Sequence, residues 1–385
     1  MSLFSWLSKD RETSFVVIDI GSSSVGAGLA LARGDKKPEL VASARHDLRL
    51  RENLTFKDLL LETDLALKAS LLSLAKKRGG FPRPERYICF LSSPYYLAKT
   101  SNIKYEGNEK FIFTKKLLDQ LSGDEAEKFA AEESLLYPEI IGDRNIVIEK
   151  KITKIKLNGY ESSRPFGQEA TLAEITQYVS VGSLSILERL EQIIISATNR
   201  SEVEFHTYPF ALCDSFQRSI GTQKNFAVVD VSGELTDIVF SNNETISQNM
   251  TIPFGHNTLM RQLTRSTGYM FEELPGLLYL YYKNNLSVQA KNRLDPAIKS
   301  AIAEWVRLLE EAFVLAAKTG SLPNLVYLIG EDSSDQSFSY GLSRADMSGR
   351  FKGEQSVILA NRELFGYHGQ EDIFLVLETL FCGKI

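Results

Sequence analysis

Two short tracts carry the groups that could do chemistry. They are Asp19-Ile20-Gly21-Ser22-Ser23-Ser24 and Asp230-Val231-Ser232-Gly233-Glu234-Leu235-Thr236-Asp237. In each, an aspartate ends an apolar, β-forming run and a tight polar turn follows. Backbone N–H groups of such a turn point into the space beyond it and can cradle phosphate oxygens. Glycine lets the chain approach a ligand closely, and the hydroxyls of Ser22, Ser23 and Ser24 can donate further hydrogen bonds. Like charge keeps Asp19 and Asp230 off phosphate itself. As hard oxygen ligands they would act through Mg2+ and its waters. Alone, either tract reads as an ordinary β-hairpin. Two of them facing each other would clamp a nucleotide between two lobes.

The surrounding pattern supplies those lobes. Residues 15–32 read as strand, turn, strand, and residues 226–240 repeat that order, so each tract heads one half of the chain. A third strand is expected over 39–48 and a helix over 56–78, closed by cationic residues and broken at 79–84. A strand follows at 87–91, and the next stretch reads as polar. A helix is expected over 114–136, with Thr114 as N-cap. Strands at 145–157 and 171–182, a helix over 183–199 and a short strand at 202–208 complete the first half. Residues 256–319 are mostly helical in pattern. Residues 324–330 form a buried strand ending at Gly330, and 371–382 form the last helix.

Composition sets the class. A chain of 385 residues, 43% hydrophobic and 24% charged, is globular and long enough for two or three domains. Lys and Arg number 44 against 49 Asp and Glu, a net charge of -5. That balance argues against a general nucleic-acid binder. The three cysteines are scattered and form no metal-ligand spacing, which points to a reducing compartment. No apolar run has the length of a membrane-spanning helix, and the expected location is cytoplasmic. Residues 1–12 carry Leu3, Phe4, Trp6 and Leu7 on one side if helical. They could touch a membrane surface, although a frayed or packed tail is the simpler expectation for so short a segment.

The ordered trio of hairpin, hairpin and Gly330-terminated strand resembles the two phosphate loops and the adenosine loop of the actin-like ATPase superfamily. The start, VVIDIGSSSVG, is similar to FtsA and PilM, bacterial actin relatives of cell division and type IV pili. ICFLSSPYYLAKTSN, FTKKLLDQL and YESSRPFGQEATLAEITQYVSV stand where those proteins place an extra subdomain. Ile252-Pro253-Phe254-Gly255 resembles an Ile-Pro-x-Gly tract of FtsA. The resemblance covers nearly the whole chain. It implies an α/β, two-lobed actin-like ATPase fold of duplicated ribonuclease H-like lobes, with a small α+β subdomain inserted in the first. The implied divisions are a tail at 1–12, a first lobe at 13–85 and 183–225, and an insert at 86–182. The second lobe would span 226–255 and 321–385, with a helical subdomain at 256–320. ATP and Mg2+ are the implied cofactors. Asp19, Gly21, Ser22, Ser23, Ser24, Asp230, Ser232, Gly233, Thr236, Asp237 and Gly330 would bind nucleotide, and Asp19 and Asp230 would hold the metal through water.

The chain also departs from the family pattern. The second phosphate loop is usually Asp-x-Gly-Gly-Gly-Thr-Thr-Asp; here Ser232 and Glu234 replace glycines and Leu235 a threonine. Glu234 would repel phosphate. Glu331 and Asp332 follow Gly330 where further glycines are usual. Tyr208 falls where relatives carry the polar residue that orients water, and a phenol is a poor base near neutral pH. Nucleotide binding is therefore expected to be weak and hydrolysis slow or lost. The function implied is that of an FtsA-like adaptor that self-assembles and links an FtsZ-like division protein to the inner face of the membrane. The alternative is a PilM-like pilus component that captures a membrane protein's N-terminal peptide. An active ATPase or sugar kinase is a further alternative, though no sugar-site cluster of Asp, Asn and Lys is evident. Residues 371–385 read as the closing helix of the second lobe, with no flexible linker before them. That shifts weight toward a PilM-like role, attached through a partner, or toward the short N-terminal segment with Trp6.

Overall fold

The computed structural model describes residues 12–34, 36–49, 54–142, 144–199, 202–221, 225–242, 245–318, 322–330, 335–344, 356–369 and 371–383. Most of the amphipathic tail thus lies outside the described residues, as do Glu331 and Asp332.

The first lobe opens with β1 (Glu12–Ile20), β2 (Ser24–Arg33) and β3 (Glu39–Asp47), a meander of antiparallel strands. Val16, Val17, Ile18 and Ile20 are all buried. A run apolar on both faces belongs at the centre of a sheet covered on both sides. Helix α1 (Phe56–Lys77) covers one side. Thr55 caps it reciprocally with Asp58, and Lys76 and Lys77 close its last turn. Strand β4 (Arg86–Leu91) then pairs parallel with β1.

The chain leaves this sheet through β5 (Tyr96–Ile112), α2 (Lys115–Leu136), α3 (Pro138–Ile141), β6 (Asn145–Leu157), β7 (Tyr160–Glu161) and β8 (Glu169–Ser183). These build a separate four-stranded sheet of order β5-β8-β6-β7, with Leu118, Ala126, Phe129 and Ala130 of α2 packed on it. The polar reading of residues 96–112 hid a seventeen-residue strand. One face of β5 meets water, so Leu97, Ile103, Tyr105 and Phe111, spread over the strand, mark the inner face. The chain returns through α4 (Leu184–Thr198), β9 (Glu204–Thr207) and α5 (Tyr208–Ser219). The first lobe's sheet is then complete, in the order β3-β2-β1-β4-β9.

The second lobe repeats the design with β10 (Phe226–Val231), β11 (Thr236–Asn242) and β12 (Thr245–Ile252). Helices α6 (His256–Thr267), α7 (Leu274–Tyr282) and α8 (Val288–Ala317) follow, then β13 (Leu325–Gly330), α9 (Asp335–Arg344) and β14 (Ser356–Leu359). The sheet order is β12-β11-β10-β13-β14, the same third-second-first-fourth-fifth arrangement as in the first lobe. Strand β12 escaped the sequence reading because it is a polar edge strand, with four consecutive positions only half-buried. Trp305 of α8 is fully buried and donates from Nε1 to Thr236 Oγ1 at 3.1 Å.

Helix α10 (Ile373–Cys382) corrects one expectation. It does not close the second lobe; it lies against β1, β2, β3 and α5 of the first. Phe374, Leu375, Val376, Leu377 and Phe381 share a core with Phe15, Val17, Phe90 and Phe216. With α1 and α4 on one face of that sheet and α5 and α10 on the other, the twofold-covered β1 has its second apolar neighbour.

Candidate nucleotide site at the junction of the hairpins

The two hairpins are built alike down to single hydrogen bonds. In the first, Gly21 N–H donates to Ser24 O at 3.0 Å; in the second, Ser232 N–H donates to Leu235 O at 3.0 Å. Asp19 and Asp230 end their strands at matching positions, both buried. The structure brings Ser22, Ser23, Ser232 and Gly233 together at one seam between the lobes.

That seam is closed. Ser22 Oγ lies 3.0 Å from Ser232 Oγ and accepts from Glu234 N–H at 3.0 Å. A Cβ on Gly233 would stand 2.7 Å from both Cβ and N of Ser23. Glycine at 233 therefore lets one hairpin touch the other, where the sequence reading gave it to a ligand. The first amides of α6 are also used: His256 N–H donates to Ser232 O at 3.0 Å, and Asn257 N–H to Gly233 O at 2.7 Å.

Glu234 plays a different part from the one expected. Its carboxylate accepts from Asn257 Nδ2 at 2.8 Å and pairs with the Arg261 guanidinium. Its charge is balanced within the second lobe, and the two hairpins are in direct contact where a phosphate cradle is expected. Thr236 donates to Phe254 O at 2.6 Å, and Asp237 accepts from Ser93 Oγ at 2.9 Å and from Thr251 Oγ1. Burial holds the Asp237 carboxyl above the ordinary range, and those hydroxyls oppose the effect. These two residues serve the second lobe's packing and its contact with the first. Gly330 pairs with Val231 at the end of β13.

Asp19 already has a cation. Arg45 Nη2 lies 2.7 Å from Asp19 Oδ2, Arg45 Nη1 donates to Ser24 Oγ at 2.8 Å, and Nε reaches Asp372 at 2.5 Å. Burial raises the Asp19 carboxyl above its usual value, and Arg45 pulls it back. Sequence reasoning missed Arg45 and Asp372. The available signal was the length of the two β-turns, which fixes the register that brings position 45 beside positions 26 and 19.

Tyr208, the first residue of α5, is fully buried, and its hydroxyl has no hydrogen-bond partner among the described residues. Burial drives the phenol pKa well up, and Asp230 and Asp19 add to the shift. It stays protonated near neutral pH and cannot act as a base. Taken together, the residues present do not fit a metal-bound nucleotide in this arrangement.

The paired sheets of one strand order, joined at two Asp-terminated hairpins, make this a two-lobed, actin-like fold. Among solved structures, the chain is similar to the PilM-PilN type IV pilus biogenesis complex, with 15% identity and a TM-score of 0.63. That match covers 96% of this chain and 98% of the other. It is also similar to the ethanolamine utilization protein EutJ from Carboxydothermus hydrogenoformans, at 14% identity, 96% and 90% coverage and a TM-score of 0.48. A Bacteroides thetaiotaomicron protein with an actin-like ATPase fold gives 10% identity, 94% and 97% coverage and a TM-score of 0.38. No protein-family model and no curated protein matches the sequence.

Proposed function

We propose that the chain is an actin-fold adaptor that holds an extended segment of a membrane-protein partner and turns over nucleotide slowly or not at all. The observation that carries this reading is a groove of about 810 Å³ where the insert, the first lobe and the second lobe meet. Lys151, Ile152 and Thr153 of β6 form one wall. Tyr178, Phe210 and Phe381 form an aromatic floor, with Phe210 stacked on Tyr178 and edge-on to Phe381. Among the described residues, the outer edge of β6 has a strand beside it only at Lys156 and Leu157, where β7 pairs. From Lys150 to Lys154 that edge is open, which is the geometry that accepts an added strand. The whole-length likeness to the PilM-PilN complex supports the same role, and so does the burial of α10 in the first lobe. With α10 taken up there, its apolar face does not serve a bilayer. Among the described residues, no helix is long and apolar enough to cross a membrane. Attachment to the inner face of the membrane then comes through the partner.

The test is fluorescence anisotropy with labelled peptides covering the cytoplasmic segments of membrane proteins encoded beside this gene. One peptide is expected to bind, and Phe210→Ala is expected to weaken it about tenfold or more. Failure of every peptide, or an unchanged affinity in Phe210→Ala, counts against the groove.

Self-assembly belongs to the same proposal and is the part shared with the FtsA-like reading. Leu135 and Leu136, at the end of α2, are 86% and 68% exposed, an apolar surface suited to a second copy. Sedimentation is expected to show concentration-dependent oligomers that a Leu135→Ser, Leu136→Ser double variant abolishes. A strict monomer at high concentration rejects this part. The FtsA-like reading further requires an FtsZ-like partner. A PilM-like role requires the peptide alone and is the reading favoured here.

A further inference from the structure

We propose that Arg45 is a built-in cation that replaces a divalent metal at Asp19 and fastens the C-terminal helix, so that the junction holds its closed form without nucleotide. The placement follows from register. Asp19 on β1 pairs with Gly26 on β2, and Gly26 pairs with Arg45 on β3, so the three stand in one row across the sheet. Arg45 must cross the middle strand to reach Asp19. Position 26 lets it do so: a Cβ there would lie 2.7 Å from Arg45 Nη2 and 3.0 Å from its Cζ. Any larger residue at 26 would push the guanidinium out of the slot.

The guanidinium then bridges Asp19, Ser24 and Asp372. Asp19 and Ser24 lie in the first hairpin, and Asp372 is the N-cap of α10, accepting from the amides of Phe374 and Leu375. The Phe374 ring lies 5.4 Å from Arg45 Cζ, within cation–π range. One side chain thus neutralises the buried Asp19 and ties the start of α10 to β3. A planar fork suits this bridging task better than a point charge. The same charge is paired with Asp19, the carboxylate expected to hold a metal through water, in the hairpin that meets its counterpart at Ser22 and Ser232. This inference concerns the junction alone. Loss of peptide binding at the β6 groove would not touch it.

The experiment uses the full chain and two readouts. The first is thermal unfolding with Mg2+ alone, with Mg2+ and ATP, and with a chelator, together with phosphate release. The expected result is one unfolding midpoint in all conditions and no release. A rise of about 5 °C or more with Mg2+ and ATP, as for a ligand well above its dissociation constant, would overturn the proposal. The second readout is hydrogen exchange of the α10 amides. Arg45→Gln is expected to reduce their protection on the order of 100-fold, because Asp19 loses its counter-charge and Asp372 its tie. Gly26→Val, which keeps the arginine and blocks its path, should reproduce the loss. Arg45→Lys should restore part of it. Unchanged α10 protection in Arg45→Gln or in Gly26→Val would reject the device. If Arg45→Gln does not fold, Gly26→Val and Arg45→Lys supply the same comparison.

Discussion

Truncating Glu149 to alanine is expected to lower the unfolding free energy by about 2–4 kcal/mol and to loosen the inserted subdomain from the first lobe. Glu149 sits on β6 of the insert, almost fully buried. It accepts from Thr207 N–H at 2.9 Å, from Ser180 Oγ at 2.7 Å, from the Thr207 hydroxyl and from His206 Nδ1 at 3.2 Å. Thr207 is the N-cap of α5. A carboxylate from one subdomain therefore terminates a helix of another, where the free amides favour negative charge. Alanine would remove the acceptor of a buried amide and two hydroxyls; the Thr207 hydroxyl keeps Tyr178 OH at 3.1 Å, so the loss falls on the amide and Ser180. Urea unfolding gives the free energy, and limited proteolysis reports the junction near residues 92–96. Glu149→Gln keeps the shape and part of the acceptor capacity, so its loss should be about half as large. A change within about 0.5 kcal/mol for alanine would mean that the contact does not fasten the insert.

Replacing Glu378 by leucine should have the opposite effect and stabilise the protein at neutral pH by about 1–3 kcal/mol. Glu378 lies on α10, fully buried, and neither carboxylate oxygen has a hydrogen-bond partner among the described residues. Burial pushes its carboxyl well above the ordinary value; Asp19 adds to the shift, Arg45 opposes it and Asp372 adds again. A raised carboxyl means that the folded state holds the proton more tightly than the unfolded chain. The group favours folding below its unfolded value, and that contribution is lost as pH rises from there through the raised folded value. At neutral pH the wild type therefore carries a cost that leucine removes. The comparison is the difference in unfolding free energy between wild type and Glu378→Leu at pH 5 and at pH 8. The gap should widen in favour of leucine as pH rises. A constant gap would show that Glu378 does not titrate with folding, and a loss of stability at pH 8 would mean that it has a partner in solution.

The elements that sequence pattern revealed are those whose signal is local. The runs before Asp19 and Asp230 are apolar on both faces because both strands are central, and polar turns end them at once. Helix α1 advertises itself with its helical periodicity and its closing cationic residues. Strands β5 and β12 stayed hidden because an edge or a wet face dilutes the alternation that marks a strand. The pattern marks α10 as a helix but not the lobe it packs on. Its apolar composition says that it is buried, and only the fold says against what. The same limit applied at the junction. Residue types identified the hairpins, yet contact between Ser22 and Ser232, and the reach of Arg45 across Gly26, depend on residues far apart in the chain. Glu234 shows the hazard most plainly. Its charge was legible, but its partner Arg261, one turn into α6, decides what the charge does.

The insert leaves and rejoins the first lobe side by side, since Tyr96 at the start of β5 pairs with Gly182 near the end of β8. To the parent lobe, the whole excursion is no wider than a hairpin turn. A host so arranged tolerates exchange of what it carries: the guest can lengthen, shrink or be swapped without altering the strand order of the lobe it leaves. The inserted subdomain can then diversify at its own pace, while the two sheets behind it keep a common plan.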